Sequence, residues 1–137
     1  MVTLLATHEA WQRSFGGSVR FRAAVSFYPG CSGSPTQMDM YLSDDIDTPL
    51  LVLMGSEDNE TPPSACVRRL ESIARGGLPV AWHVYPGATH CWDCENLDGF
   101  TKTVRGESIT YRYNKEVHED SAKRMFGFFG VKMRKRD

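Results

Sequence analysis

Short apolar runs separated by helix-like segments set the pattern of this 137-residue chain. Residues 23–28, 50–54 and 80–85 are mostly apolar runs of strand length, and turn residues follow each of them. Runs of this kind are typical of strands buried on both faces, as in a parallel sheet. The pattern therefore predicts three parallel strands.

Apolar residues at helical spacing predict three helices. The first covers residues 3–15, the second opens at Pro62-Pro63 and ends at Gly76-Gly77, and the third begins at Asn114. The residues predicted to face the core are Leu4, Leu5, His8, Trp11 and Phe15 in the first helix, Cys66, Val67, Leu70, Ile73 and Ala74 in the second, and Ala122, Met125, Phe126 and Phe129 in the third.

Two remaining stretches lack a clear period. Residues 30–48 are polar, rich in turn residues and acidic near their end, and they predict a surface connection. Residues 91–113 predict irregular structure. Because the first connection is too long for a hairpin, the element order α-β-β-α-β-α predicts the α/β class, with helices on both faces of the sheet.

Length and composition indicate one ordinary globular domain. The chain is 41% hydrophobic and 24% charged, with a formal net charge of -1. This balance gives no reason to expect a nucleic-acid or membrane partner. The last residues carry Lys132, Arg134, Lys135 and Arg136, so we divide the chain into a domain at 1–131 and a solvated basic tail at 132–137.

Three features of the sequence bear on its location. No apolar stretch approaches the roughly 20 residues of a membrane span, and the N-terminus lacks the layout of a signal peptide. Four cysteines are too few for a disulfide framework in a chain of this size, and they are compatible with a reducing compartment. These features predict a cytoplasmic protein.

Two loops that follow predicted strands carry candidate catalytic groups. Asp58 lies in residues 55–62, after the second strand, and His90 lies in residues 85–90, after the third. The carboxyl ends of parallel strands share one edge of the sheet, where an acid can orient a histidine that acts as a general base. Glu57 and Glu60 are rivals of Asp58, because spacing does not give side-chain direction. Taken singly, each loop is more often an ordinary surface feature.

Cys91 and Cys94 form a single Cys-x-x-Cys directly after His90. The sequence offers no second pair for a zinc site, and a redox pair would be expected at a helix N-terminus. We therefore expect loop packing or an incidental disulfide, with a metal or redox role as a minor alternative. No nucleotide-binding, phosphate-binding or His-Glu-x-x-His motif is present, so neither a cofactor nor a metal is expected. The other histidines, His8, His83 and His118, are predicted to be structural or solvated.

Four stretches stand in a fixed order along the chain: residues 21–31 (FRAAVSFYPGC), 48–63 (TPLLVLMGSEDNETPP), 84–90 (VYPGATH) and 111–114 (YRYN). Together they resemble the C-terminal half of the dienelactone hydrolase family, over roughly residues 1–130. The resemblance implies a partial α/β-hydrolase fold with about three parallel strands flanked by helices. It also implies that Asp58, in a Gly-x-x-Asp-x-x-x-Pro loop, is the acid of a catalytic triad, and that His90, in a Pro-Gly-Ala-x-His loop, is its base.

The same resemblance implies a hydrolase of small esters or lactones. Residues 1–7 are similar to the helix that follows the family's Gly-x-(Ser or Cys)-x-Gly-Gly elbow, and no such elbow occurs in the sequence. The chain is therefore expected to start just after the nucleophile and to be inactive alone, with Cys31 only a poor substitute.

Three parallel strands without their upstream neighbours would leave an open inner edge, which is a template for association. We expect this edge to pair with a complementing N-terminal fragment or with another copy of the chain. The alternative function is a non-catalytic interaction module, derived from a hydrolase half, that associates through the same edge.

Overall fold

The computed structural model describes residues 2–31 and 41–134 of the chain. The predicted connection at 30–48 and the basic tail therefore lie partly outside the described residues. In chain order the elements are α1 (Val2–Leu5), α2 (Glu9–Phe15), β1 (Ala24–Phe27), β2 (Leu50–Gly55), α3 (Pro63–Arg75), β3 (Val80–Tyr85), a 3₁₀ turn (Glu95–Leu97), β4 (Thr101–Val104), β5 (Glu107–Thr110) and α4 (Lys115–Lys132).

The main sheet contains three parallel strands in the order β1-β2-β3. This confirms the predicted parallel α/β arrangement. Leu53 pairs with Phe27 on one side, and Gly55 pairs with Tyr85 on the other. The carboxyl ends of β2 and β3 therefore lie side by side, and the loops that follow them leave the sheet together.

Strand β2 is buried over its whole length, and its side chains alternate between two layers. Leu50, Val52 and Met54 pack in one core with Leu70 of α3. On the other face, the core holds Leu51, Leu53, Tyr85 and Trp92, with Val117 and Phe128 of α4 packed against it. Helices thus cover both faces of the sheet, as the element order predicts.

The N-terminal segment forms two short helices, so the prediction of one helix over residues 3–15 is wrong. His8 has extended backbone (φ -84°, ψ 133°) and bridges to Ile46, which breaks the helical path between α1 and α2. The ring of His8 is buried, and its Nε2 lies 3.0 Å from the Tyr41 carbonyl oxygen. Trp11 and Phe15, predicted to face the core, are 41% and 76% exposed.

The described end of the connection, residues 41–48, is not a surface segment. Leu42 and Ile46 are each 1% exposed and belong to the core on the α3 face of the sheet. Both apolar side chains are buried, while Asp44 and Asp47 beside them are exposed. The surface prediction is therefore wrong for this part of the chain.

Residues 101–110 form an antiparallel hairpin, so the prediction of irregular structure over 91–113 is wrong there. Arg105 and Gly106 occupy the turn with φ of 53° and 85°. Two positive φ values are the requirement of a type I′ hairpin turn. The β-branched residues before this Arg-Gly pair are the sequence signal that indicates the hairpin.

Helix α4 begins where predicted, because Asn114 caps it by accepting a hydrogen bond of 3.1 Å from the backbone N–H of Val117. Its packed face differs from the prediction. Phe126 is 68% exposed, whereas Val117 and Phe128 face the sheet. The helix also extends through Lys132, the first residue of the predicted tail. Among residues 2–31 and 41–134, no helix has the length and apolar character needed to cross a membrane.

All four cysteines are paired, as Cys31–Cys66 and Cys91–Cys94. The Cys91–Cys94 bond agrees with the incidental disulfide expected there, whereas the Cys31–Cys66 bond was not predicted. The first bond joins the loop after β1 to α3 across a sequence separation of 35 residues, and the second closes a loop of separation 3.

The ends of β2 and β3 approach each other at a glycine. A Cβ on Gly55 would lie within 2.8 Å of the Ala88 carbonyl carbon, closer than real side chains come. Ser56 N–H donates to the Tyr85 carbonyl (2.9 Å), and Glu57 N–H donates to the Ala88 carbonyl (3.0 Å). Glycine at position 55 is what allows these two loops to pair through their backbones.

Removal of the long-range disulfide should cost more stability than removal of the local one. The Cys31–Cys66 bond closes a loop of separation 35, and the conformational entropy that it removes from the unfolded chain stabilises the fold by about 4 kcal/mol. The same effect for the Cys91–Cys94 loop is about 2 kcal/mol. We expect Cys31→Ala with Cys66→Ala to lose about twice the unfolding free energy lost by Cys91→Ala with Cys94→Ala. Urea denaturation of the oxidised proteins measures both, and equal losses would contradict the loop-length argument.

Gly55→Ala should be destabilising by about 1–3 kcal/mol, because its Cβ overlaps the Ala88 carbonyl and pushes the two loops apart. Gly127→Ala is the matched control. Position 127 lies in α4, and apart from the adjacent backbone no heavy atom of the described residues lies within 4 Å of an added Cβ, so alanine there should be stabilising by up to about 1 kcal/mol. Thermal unfolding followed by circular dichroism checks both variants; a Gly55→Ala protein as stable as the parent would refute the close approach.

Candidate active site

The structure brings Asp58 and His90 together at the carboxyl edge of the sheet. His90 Nδ1 lies 2.8 Å from Asp58 Oδ2, and the Asp58 side chain is almost fully buried. A carboxylate only accepts hydrogen bonds, so Nδ1 carries the proton of this bond. The lone pair of the ring is then on Nε2, the atom that can receive a proton from another group.

Four donor groups hold the Asp58 carboxylate in place. Oδ1 accepts from the backbone N–H groups of Glu60 (2.9 Å) and Thr61 (2.8 Å). Oδ2 accepts from the Thr61 hydroxyl (2.7 Å) as well as from His90. The hydroxyl of Thr61 also lies 3.0 Å from the Tyr28 carbonyl oxygen. A buried carboxylate with this many donors is fixed in direction, and it fixes the plane of the imidazole in turn.

The two rival carboxylates are in different positions. Glu57 is exposed on the loop, and its backbone rather than its side chain pairs with Ala88. Glu60 lies at the other nitrogen of the ring, with Oε2 3.9 Å from His90 Nε2. Of the three acidic residues in this loop, Asp58 is the one that bonds Nδ1.

Glu60 is held by the β4–β5 hairpin. Lys102 Nζ donates to Oε1 at 2.9 Å, and the Tyr111 hydroxyl donates to Oε2 at 2.8 Å. Burial works against the charge of Glu60, but the hydrogen bonds from Lys102 and Tyr111 and the nearby His90 outweigh it and lower the pKa of this carboxyl. Glu60 is therefore ionised wherever His90 could act as a base.

Tyr28 forms one wall of the site. Its ring centroid lies 4.5 Å from that of His90, and its hydroxyl donates to Asp93 at 3.2 Å. Burial, and then the negative charge of Asp93, raise the pKa of the Tyr28 phenol, so it remains a neutral donor. The φ of this residue is 36°, a strained value for a side chain of this size, and it turns the chain out of β1 beside the histidine.

A cleft of about 440 Å³ opens beside His90. Its walls come from the two strand-end loops and from β5, and they carry mainly polar and charged groups. The lining residues are Ser56, Glu57, Asn59, Thr89, His90, Ser108, Ile109, Thr110 and Arg112. The hairpin that the sequence did not predict thus contributes one side of the space next to the histidine.

The cysteines do not offer a nucleophile in this state. Cys31 is bonded to Cys66 and only 2% exposed, and Cys91 is bonded to Cys94. Ligand atoms of Cys91, Asp93 and Cys94 lie within 4.8 Å of one another. A metal would need these sulfurs as thiolates, and they are bonded to each other instead.

Sequence reasoning missed the residues that support the pair. Thr61 stands three positions after Asp58, a spacing at which the aspartate side chain can accept from the backbone two and three residues on. That local signal could have identified Thr61. Lys102 and the role of Tyr111 depend on a hairpin more than 40 residues away in sequence, and no local signal points to them.

Solved structures with a similar fold are α/β hydrolases. A putative dienelactone hydrolase from Klebsiella pneumoniae matches with a TM-score of 0.65 and 21% identity, over 94% of this chain and 47% of that one. The α/β hydrolase MGS-M1, from a deep-sea metagenome library of the Medee basin, matches with a TM-score of 0.57 and 17% identity, over 97% and 50%. A carboxylesterase from Lactobacillus plantarum matches with a TM-score of 0.57 and 15% identity, over 94% and 53%. These likenesses show the fold.

The chain spans about half the length of these solved structures. No curated protein matches it significantly. The model of the dienelactone hydrolase family matches residues 8–133, which is nearly the whole sequence. On that match, and with the α/β-hydrolase arrangement of its strands, this chain belongs to the dienelactone hydrolase family.

Proposed function

We propose that this chain supplies the acid and the base of a nucleophile–histidine–aspartate triad in a hydrolase of small esters or lactones. Asp58 orients His90 and stabilises its charged form, and His90 Nε2 takes the proton of a nucleophile that lies outside these 137 residues. The hydrogen bond of 2.8 Å between His90 Nδ1 and Asp58 Oδ2 supports this assignment most directly.

In this proposal the nucleophile comes from an N-terminal half of the domain. The 137 residues contain no Gly-x-(Ser or Cys)-x-Gly elbow. Loss of the nucleophile in a triad enzyme costs about 10⁶-fold in kcat, and the residual rate depends on an oxyanion hole. The chain by itself is therefore expected to hydrolyse esters no faster than background.

An exposed apolar surface supports docking of that missing half. We call Val2, Trp11, Phe15, Val19 and Phe21 the N-terminal apolar patch; these side chains are between 41% and 82% exposed. They line most of a groove of about 430 Å³. The patch leads along the chain into β1, whose outer edge pairs with no other strand among the described residues. A segment that adds a parallel strand to β1 would pair the backbone groups of this edge. Apolar helix residues of the same segment would bury the N-terminal apolar patch.

The second candidate is a non-catalytic interaction module that uses the same surfaces to bind another copy of the chain. The observation in its favour is the apolar patch itself, since contiguous exposed apolar surface often marks a site of association. This candidate requires no turnover in any combination of fragments.

The cellular location of the chain is also a proposal. The cytoplasmic location stays a prediction, and the two disulfides weigh against it because cytosolic reductants keep thiols reduced.

Activity should appear only when the N-terminal half is present. We expect p-nitrophenyl acetate to be hydrolysed by this chain joined to the segment encoded directly upstream, and not by the chain alone. In the joined protein, His90→Ala should lower kcat by about 10⁶-fold and Asp58→Asn by about 10⁴-fold. Glu71→Gln, an exposed carboxylate on α3 away from the cleft, is the control and should change kcat little. Full activity in the two triad variants would disprove the assignment.

The association state separates the two candidates. If the module hypothesis is correct, light scattering should give a dimer that persists with the upstream segment present, without turnover. Phe15→Glu places a charge on the N-terminal apolar patch and should dissociate such a dimer, while Phe126→Glu, 68% exposed on α4, should not. A stable, inactive monomer would count against the module.

A further inference from the structure

We propose that Glu60 is a positioning residue for His90: its carboxylate, held by the β4–β5 hairpin, stabilises the imidazolium from the Nε2 side. This inference rests on the proposed role of His90 as the base. It adds a second carboxylate to the pair formed by Asp58 and His90, and it gives the hairpin a part in the reaction.

The geometry places one carboxylate at each nitrogen of the ring. Asp58 Oδ2 lies 2.8 Å from Nδ1, and Glu60 Oε2 lies 3.9 Å from Nε2. The longer distance is beyond a hydrogen bond. Glu60 therefore does not block the lone pair of Nε2, and the proton of a nucleophile can still reach it.

Glu60 is held by two donors, one at each oxygen of its carboxylate. Lys102 Nζ binds Oε1, and the Tyr111 hydroxyl binds Oε2. Tyr111 is 7% exposed, its ring centroid lies 5.5 Å from that of His90, and Lys102 Nζ lies 5.1 Å from the Tyr111 centroid. The three side chains contact one another, and these contacts favour the observed position of the carboxylate beside the histidine.

The negative charge of Glu60 stabilises His90 when the imidazole ring becomes positive. As Nε2 takes the proton of the nucleophile, the imidazolium gains an attractive interaction with Glu60 that the neutral ring lacks. The positive charge of Lys102 opposes part of this attraction, but Lys102 binds Oε1, whereas Oε2 is the oxygen near Nε2.

The charged and titratable groups around His90 come from several parts of the chain. They are Asp58 and Glu60 in the loop after β2, Tyr28 after β1 with Asp93 hydrogen-bonded to it, Lys102 on β4, and Tyr111 and Arg112 after β5.

The first test follows the ionisation of His90 in the 137-residue chain by NMR. The chain has four histidines, and His90→Ala identifies the signal. We expect Glu60→Gln to lower the pH at which His90 titrates by about one pH unit, since a full negative charge ~4 Å away is removed. Glu107→Gln makes the same charge change at an exposed position of the hairpin and should leave the titration where it was.

A second readout comes from catalysis by the chain joined to its upstream segment. In Glu60→Gln the acid limb of the kcat/KM profile should move to lower pH, and kcat should fall by about threefold to tenfold with KM unchanged. A folded Glu60→Gln protein with an unchanged His90 titration and an unchanged profile would overturn the inference. If that variant unfolds, Glu60→Asp retains the charge, withdraws it by one methylene, and should move the titration in the same direction by less.

The two proposals fail in different ways. Full activity in His90→Ala would mean that the proposed function is wrong, whatever Glu60 does. If His90→Ala loses activity but Glu60→Gln changes neither the His90 titration nor the kcat/KM profile, only the role proposed for Glu60 is wrong.

Discussion

The close backbone approach of the loops after β2 and β3 is the constraint on which the site depends. Parallel pairing brings Gly55 beside Tyr85, and the absence of a Cβ at position 55 lets the Ala88 carbonyl come close enough to accept from Glu57 N–H. Asp58 and His90 stand one and two residues beyond these contacts. Their hydrogen bond is therefore set by backbone pairing of the sheet and its loops, not by the reach of long side chains.

Two carboxylates next to one histidine are stabilised by different means. Asp58 obtains its donors from its own loop, through backbone N–H groups two and three residues on and the hydroxyl of Thr61. Glu60 obtains Lys102 and Tyr111 from a hairpin far along the chain. The first arrangement forms as soon as the loop does, whereas the second requires tertiary structure. The position of Glu60 is accordingly more sensitive to the hairpin than the position of Asp58.

The sequence was most informative where the local pattern and the tertiary structure agree. Strand β2 is apolar throughout because both of its faces are buried, and glycine and proline mark the loops that carry Asp58 and His90. Prediction failed for two reasons. His8 leaves the helical path to pair with Ile46, a distant partner that no local pattern shows. The hairpin at residues 101–110 does carry a local signal, but its place beside the cleft depends on contacts far along the chain.

The contrast between the site and the N-terminal apolar patch has a physical meaning. Around Asp58 the polar groups are paired, so the carboxylate needs no further hydrogen bonds, and His90 keeps Nε2 for the proposed nucleophile. Around Trp11 and Phe15 the apolar groups are exposed, so burial there remains available as a driving force for association. If the proposed docking occurs, its free energy comes from the patch and the open edge of β1. The geometry of the acid–base pair can then stay unchanged while the nucleophile is brought to Nε2.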